Sequence, residues 1–501
     1  MPERSIIRSV NLYQASMELR MNFVPTSPAP PDGLALAERI RKGENSRREV
    51  VMQAIERMRR VNPQLNALID DLGEQARDTT AVASTDGAFS GVPTLVKDLF
   101  LPVKGARMTN GSLIGKAAVA PYDAEVVTRA RATGLAIIGT TTSPEFGTSY
   151  TTESRLFGAT ANPWSLDHTA GGSSGGSAAM IAARAVPFAF GNDGGGSLRV
   201  PASCCGIFGL KPTRGRVPMG PTVGEGWAGM GCNNIMSISI RDSAAMLDAL
   251  SGMDIGAPYA APHDAESLVS AVAKRPIGLR IGLVRQLAPF ETSAECLEAV
   301  DDAARLCAEL GHHVEETTLP IETMEYYDTV FTIIGAQTTS LLAMIAQVTG
   351  RPVDEANLEA RTRIILREKG AVSGATYAAA VDWLHAFGRR MGHLMQRYDV
   401  LLSPTLAKPP AKLGSFQLDD GNSLADLIQL FHGFSPFTSL FNASGQPAMS
   451  VPLYWSQSGL PIGSHFASGF GREDVLFALA GQLEEARPWA SRIPPVNALP
   501  A

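Results

Sequence analysis

The sequence predicts an α/β fold in which parallel strands are covered by helices, and three observations carry that prediction. Leu279 to Val284 reads as a buried strand, Leu297, Val300, Ala304, Cys307 and Leu310 form one helical face, and Val314 to Leu319 reads as a strand again. That is a βαβ unit, which requires parallel pairing. Leu135 to Gly139 and Ala185 to Phe190 are further short apolar strand candidates. Ser46 to Glu49 is a capping box followed by Val50, Val51, Ala54, Ile55, Met58 and Val61 at helical spacing, the pattern of an amphipathic helix.

Taken in order, residues 1–32 form an N-terminal arm or linker, because Pro25, Pro28, Pro30 and Pro31 prevent a packed element. The folded body begins near Leu34 and extends over 33–490. Pro63 is expected to stop the first amphipathic helix. The helix of the βαβ unit begins with a capping box at Thr292 to Glu295 and ends at Gly311. Residues 322–398 are helical in pattern and precede a strand end at Leu401 to Pro404. Such an insertion is expected to form the wall or lid of a pocket. Residues 491–501 form a C-terminal tail.

Composition limits what the chain can do. Apolar residues make up 45% and charged residues 18% of 501 residues, values of a globular protein with a large interior. The net charge is −6, with lysines and arginines scattered along the chain. That gives no basic field for nucleic acid or anionic membrane. Five cysteines without a C-x-x-C pair point to neither a disulfide framework nor a zinc site. The expected setting is reducing and cytoplasmic. The first 25 residues lack the apolar core of a signal peptide, and apolar stretches elsewhere are cut by Gly, Pro or charge before the roughly 20 residues of a membrane span. The expected partner is a small-molecule substrate; no nucleic acid and no membrane are expected, and a homodimer stays open.

The densest chemical signal is a pair of Gly/Ser segments, Gly171 to Ser177 and Gly191 to Arg199. A short helix and a strand lie between them, so the two can stand side by side. A lone Gly-Gly-Ser is ordinarily a flexible loop. Two flanking one supersecondary unit are different, because consecutive glycines let several N–H groups converge on one point. Gly194, Gly195, Gly196 and Ser197 suit an oxyanion hole of that kind.

Competing motifs fail on spacing. Neither segment ends in the Lys of a P-loop, and Arg199 stands where a dinucleotide loop needs its third glycine. Gly172 to Gly176 matches the Gly-x-Ser-x-Gly elbow formally, with Asp399 and His465 in the right order. The residues ahead of it, Asn162 to His168, read as a polar loop where the elbow needs a buried strand. A buried neutral lysine is then the alternative base. Lys97 ends the apolar run Val92 to Val96, so its stem should be packed while its amine faces a cleft.

At this point the residues resemble a known family. Gly91-Val92-Pro93 running into Lys97-Asp98, the Gly171 to Ser177 segment, and Asp193 to Ser203 continuing into Gly209 to Thr213 look like the amidase signature in order and spacing. Asn162 to Trp164, Asn442 to Ala448 and Gly459 to Gly463 are similar to its outer elements. The resemblance implies a mixed, largely parallel central sheet covered by helices on both faces. It implies hydrolysis of an amide, with ester or carbamate as further substrates, through a Ser197 acyl-enzyme. Ser197 is then the nucleophile, Ser173 a bridging serine on a cis peptide, Lys97 the general base and Ser174 a helper. No metal or organic cofactor is needed.

Asp193 and Arg199 flank the nucleophile and are expected to bond to backbone or to each other, holding the loop. Gly194 departs from relatives that carry a larger residue, which implies a looser loop. Phe146, Thr148, Tyr150, Trp227, Met230 and Cys232 are expected to line an apolar acyl pocket. Cys204 and Cys205 read as core thiols, and Lys211 as structural. Asn192-Asp193 and the tail from Gly471 to Trp489 look most like hydrolases of nylon-type cyclic amide dimers and of aryl or acyl amides. The alternative is the glutamine-hydrolysing subunit of a tRNA-dependent amidotransferase. A catalytically dead binding protein is disfavoured because all three triad residues are present.

Overall fold

Short apolar runs bounded by glycines become the strands of one 11-stranded sheet in the computed structural model, which describes residues 30–79, 87–262 and 266–499. In chain order the strands are β1 (Leu68–Asp71), β2 (Pro93–Lys97), β3 (Ala136–Thr141), β4 (Phe188–Asp193), β5 (Phe208–Lys211) and β6 (Cys232–Ser237). They continue with β7 (Arg280–Leu283), β8 (His313–Glu316), β9 (Val400–Pro404), β10 (Ala448–Trp455) and β11 (Pro461–Ser468). Across the sheet the order is β1-β3-β2-β4-β6-β5-β10-β11-β9-β7-β8.

The α/β class and the mixed sheet hold, but the balance of pairing differs from the expectation. Parallel pairing is confined to two blocks, β3-β2-β4 and β9-β7-β8. Every other neighbour pair is antiparallel. For β10 and β11 the physical reason is their connection: they are separated by five residues, 456–460, and so short a link can only return the chain antiparallel.

Both faces are covered, as strand alternation requires. Leu95 of β2 and Ala189 of β4 pack with α1 (Arg47–Leu65), the capped helix, and α2 (Gly175–Ala182). Their neighbours Val96, Phe188 and Phe190 enter a second core on the opposite face.

Local signals shift by small, explicable amounts. Ser46 and Glu49 make the reciprocal capping box, but Pro63 lies inside the last turn of α1. The helix ends instead at Asn66, which takes a left-handed conformation (φ 49°) and closes the last turn. The βαβ helix, α3 (Ala294–Glu309), is capped by Ser293, whose hydroxyl accepts from Cys296 N, not by Thr292. The expected N-terminal arm lies outside the described residues except for its last three, where Asp32 caps the helix Gly33–Arg41.

The 322–398 segment folds as α4 (Thr323–Thr349), α5 (Ala360–Lys369) and α6 (Gly374–Leu394). Among the described residues α4 is long and apolar enough to cross a membrane, counter to the expectation that Gly, Pro or charge cuts every apolar stretch first; Gly335 lies within it without interrupting the helix. A Cβ at 335 would lie 2.4 Å from the Lys369 carbonyl oxygen; the glycine lets α5 approach. The first half of α4 is buried, with Tyr326, Tyr327 and Phe331 packed against Leu401, Ala448 and Ala467 of the sheet.

Candidate active site

Strand register assembles the site. β2 and β4 run parallel, with Leu95 opposite Ala189 and Val96 opposite Phe190, so Lys97 and Asn192 emerge together at the strand ends. Lys97 is fully buried. Its Nζ lies 2.7 Å from Ser173 Oγ and donates to Asn192 Oδ1 at 2.6 Å. Asn192 is held in turn by Nδ2 donating to the Leu99 carbonyl at 2.5 Å. Burial pulls the amine well below the ordinary lysine value, opposed by the Asp193 carboxylate.

Ser173 stands just ahead of α2, and the Gly172–Ser173 peptide is cis. A Cβ on Gly172 would meet the Thr151 backbone at 2.5 Å, so the turn is pressed against its neighbour. Ser173 and Ser197 open into one cavity of about 200 Å³. Among the described residues Ser197 Oγ has no hydrogen-bond partner, so the Ser173–Ser197 link is not closed. Ser174 faces away from the cavity and donates to the Asn192 carbonyl at 3.3 Å.

The glycine loop is shaped by a buried ion pair. Asp193 Oδ1 and Arg199 Nη2 are 2.9 Å apart, both without solvent exposure. Asp193 also accepts from Gly196 N (2.7 Å) and Leu198 N (3.1 Å). Burial alone would raise the Asp193 carboxyl, but Arg199, aided by Asn442, holds it well below the usual range. The Gly196 N–H, expected in the oxyanion hole, is therefore committed to Asp193. The N–H groups of Gly194, Gly195 and Ser197 have no protein acceptor among the described residues. The Gly195 carbonyl is fixed from behind by the hydroxyls of Tyr150 (2.9 Å) and Thr438 (2.7 Å).

Gly194 does not loosen this loop. A Cβ there would sit 2.6 Å from Cζ3 of Trp227; the space a side chain at 194 would take is filled by an indole.

Of the expected pocket residues, Phe146, Trp227 and Cys232 line the cavity. Tyr150 supports the loop instead. Thr148 is drawn away by Arg361, whose Nε donates to its Oγ1 at 3.1 Å. Met230 is buried in the neighbouring core and its carbonyl accepts from Asn442. In each case a polar partner or the core competes with the cavity for the residue. Sequence reasoning missed Leu99, Phe100, Gln337, Thr338 and Leu341, which also line the cavity. It also missed the bond that Lys97 donates to Asn192. The last three of these wall residues come from α4, and helical periodicity alone does not say which face of a helix meets a distant loop.

The histidine alternative does not assemble. His465 Nε2 lies 3.0 Å from Arg199 Nη1 and its Nδ1 3.1 Å from Ser403 Oγ. Burial, then the Arg199 charge, pushes the imidazole well below its ordinary value. Asp399 is paired with Arg280 at the surface. Lys211 is buried with Nζ donating to the Pro212 carbonyl at 2.7 Å, and Cys204 and Cys205 are buried thiols.

Comparison with known proteins identifies the family and the fold. The amidase family model matches residues 49–477. The chain is 36% identical over 475 residues, 92% of its length and 96% of the relative's, to the 6-aminohexanoate-cyclic-dimer hydrolase of Paenarthrobacter ureafaciens. It is 35% identical over 478 residues, 93% and 97% of the two chains, to the putative amidase AmiC of Mycobacterium tuberculosis. The solved structure of 6-aminohexanoate cyclic dimer hydrolase superposes with a TM-score of 0.89 at 36% identity, covering 93% of this chain and 99% of that one. A bacterial aryl acylamidase of the amidase signature family superposes at 0.85 with 28% identity, over 94% and 99%. With the family match spanning most of the sequence and the fold shared over 93% of the chain, the chain belongs to the amidase signature family and is a hydrolase of carbon–nitrogen amide bonds.

Proposed function

We propose that the enzyme hydrolyses a small, uncharged carboxylic amide through an acyl-enzyme on Ser197, with Ser173 and Lys97 relaying the proton. One observation carries the reading: a fully buried lysine amine, its pKa drawn down by desolvation, stands 2.7 Å from Ser173 Oγ. A neutral amine has a lone pair that can accept the Ser173 proton while Ser173 accepts that of Ser197. Asn192 takes one amine N–H, which turns the lone pair toward Ser173. Ser197 Oγ then bonds to the carbonyl carbon, and the oxyanion is met by N–H groups of the Gly194–Ser197 loop other than that of Gly196. An essential donor of this kind is worth about 3–4 kcal/mol. Ser173 returns the proton to the departing amine, and water releases the acid. Activated esters and carbamates follow the same course with a better leaving group.

The cavity wall supports an uncharged substrate, since Leu99, Phe100, Phe146, Trp227 and Leu341 line it together with the neutral Gln337 and Thr338. The similarity to a cyclic-dimer hydrolase favours an aliphatic or cyclic amide. Glutamine hydrolysis fits less well, because among the described residues that line the cavity there is no Arg or Lys to pair with an α-carboxylate. The body 33–490 is proposed to act as one unit with 322–398 as pocket wall, and the five free, buried cysteines fit a reducing cytoplasm. The test is Ser197→Ala, which should abolish hydrolysis and fluorophosphonate labelling while keeping the native melting temperature. Full-stoichiometry labelling of that variant would refute the assignment.

A further inference from the structure

We propose that Trp227 is a specificity-determining residue that restricts this amidase to substrates unbranched at the carbon next to the scissile carbonyl. The proposal rests on the reading of the 194–197 loop as the oxyanion site.

Three independent observations seat the indole there. First, its benzo edge occupies the place of a side chain at 194: Cζ3 and Cε3 lie 2.6 and 2.7 Å from where a Cβ of that residue would be. Gly194 is not among the glycines at positive φ, so the requirement for glycine is steric and not torsional. Second, Trp227 and Ala228 are both held at positive φ, 50° and 52°, a conformation that non-glycine residues keep only when their surroundings impose it. Third, the imposing contact is visible. The Trp227 N–H donates to Gln337 Oε1 at 2.7 Å, and Gln337 Nε2 donates to Tyr377 OH at 2.8 Å, so α4 and α6 together hold the loop.

The consequence follows from the shared wall. Trp227, Gly194 and Ser197 border the same cavity. A carbonyl oxygen that meets the N–H groups of Gly194, Gly195 and Ser197 must carry its neighbouring carbon past the indole edge. A methylene or a flat ring passes. A second substituent on that carbon meets the ring, whose backbone Gln337 fixes and whose side chain packs against the neighbouring core.

The experiment compares kcat/KM for n-butyryl, isobutyryl and pivaloyl p-nitroanilides in the wild type, Trp227→Ala, Trp227→Leu, Gln337→Ala, Gln337→Glu and Gly194→Ala, and in the Trp227→Ala/Gly194→Ala pair. The butyryl-to-isobutyryl ratio should fall roughly tenfold or more in Trp227→Ala, with a smaller fall in Trp227→Leu, the scale on which pockets discriminate single methyl groups. Gln337→Ala should move the ratio the same way, and Gln337→Glu, which keeps the acceptor, should restore it. Gly194→Ala should depress all three substrates, and adding Trp227→Ala should recover part of that loss. A ratio unchanged in both Trp227 variants, or a double variant no better than Gly194→Ala, overturns the proposal. The ratio is read whichever serine attacks, so activity surviving in Ser197→Ala would remove the nucleophile assignment without deciding the steric one.

Discussion

Replacing Lys97 by Met should destroy activity and, across a defined pH range, make the protein more stable. The amine is fully buried and its pKa lies well below the free value because of desolvation. Between the folded pKa and about 10.4 the unfolded chain binds a proton at this position that the native state does not. Unfolding is therefore favoured there by about 1.4 kcal/mol for each pH unit below 10.4, until the folded pKa is reached and the penalty levels off. Met removes it. The variant leaves Asn192 Oδ1 without its donor, a loss of about 1–3 kcal/mol that does not depend on pH. The stability difference between wild type and Lys97→Met should thus shift in the wild type's favour by about 1.4 kcal/mol per unit as pH rises through the window. Paired urea titrations at several pH values measure this slope, while kcat/KM on a matched p-nitroanilide and p-nitrophenyl ester reports the chemistry. Activity on the amide should fall by about 10² to 10⁴, and on the ester by less, because a phenolate leaves without a returned proton. A pH-independent stability difference, or a Lys97→Met enzyme with near-normal amidase activity, would refute the neutral-lysine reasoning.

Asp193→Asn should cost about 3–5 kcal/mol at neutral pH, since it leaves Arg199 buried without its counter-charge. The native carboxyl is held below its unfolded pKa, so the cost is fully present above about pH 4 and disappears as pH falls further; acid and neutral chemical denaturation compare the two. Tyr150→Phe removes one of two hydroxyls on the Gly195 carbonyl and should lower kcat by about tenfold with little change in KM, given that Thr438 keeps its bond. His465→Ala should leave the acid limb of the pH profile in place but lower the melting temperature, because His465 supports Arg199; a shifted acid limb would contradict this.

The site was legible in the sequence where chemistry is carried by adjacent residues. Lys97 at the end of an apolar run, and two glycine–serine segments separated by one helix and strand, are local patterns whose meaning survives without coordinates. Asn192 was within the second segment, yet its bond to Lys97 depends on β2 lying beside β4. The Asn442 to Ala448 run was recognisable as a family element. Its task was not: Asn442 donates to the Asp193 carbonyl and accepts from Arg199 across more than 240 positions.

By itself the sequence determined the α/β class, the βαβ unit and the residues able to supply a serine nucleophile and a lysine base, because periodicity, capping and glycine clustering act over a few neighbouring residues. Tertiary structure alone decided how those groups are aimed. β10 and β11 are antiparallel because a five-residue link joins them. Gly196 turns its N–H inward because Asp193 is buried beneath it with Arg199. Tyr150 braces the loop and Trp227 roofs it because distant helices press them there, and Gly194 is glycine because that indole needs its space. Such contacts join residues far apart in the chain, and their energies depend on burial and excluded volume that exist only once the sheet and its covering helices have closed around them.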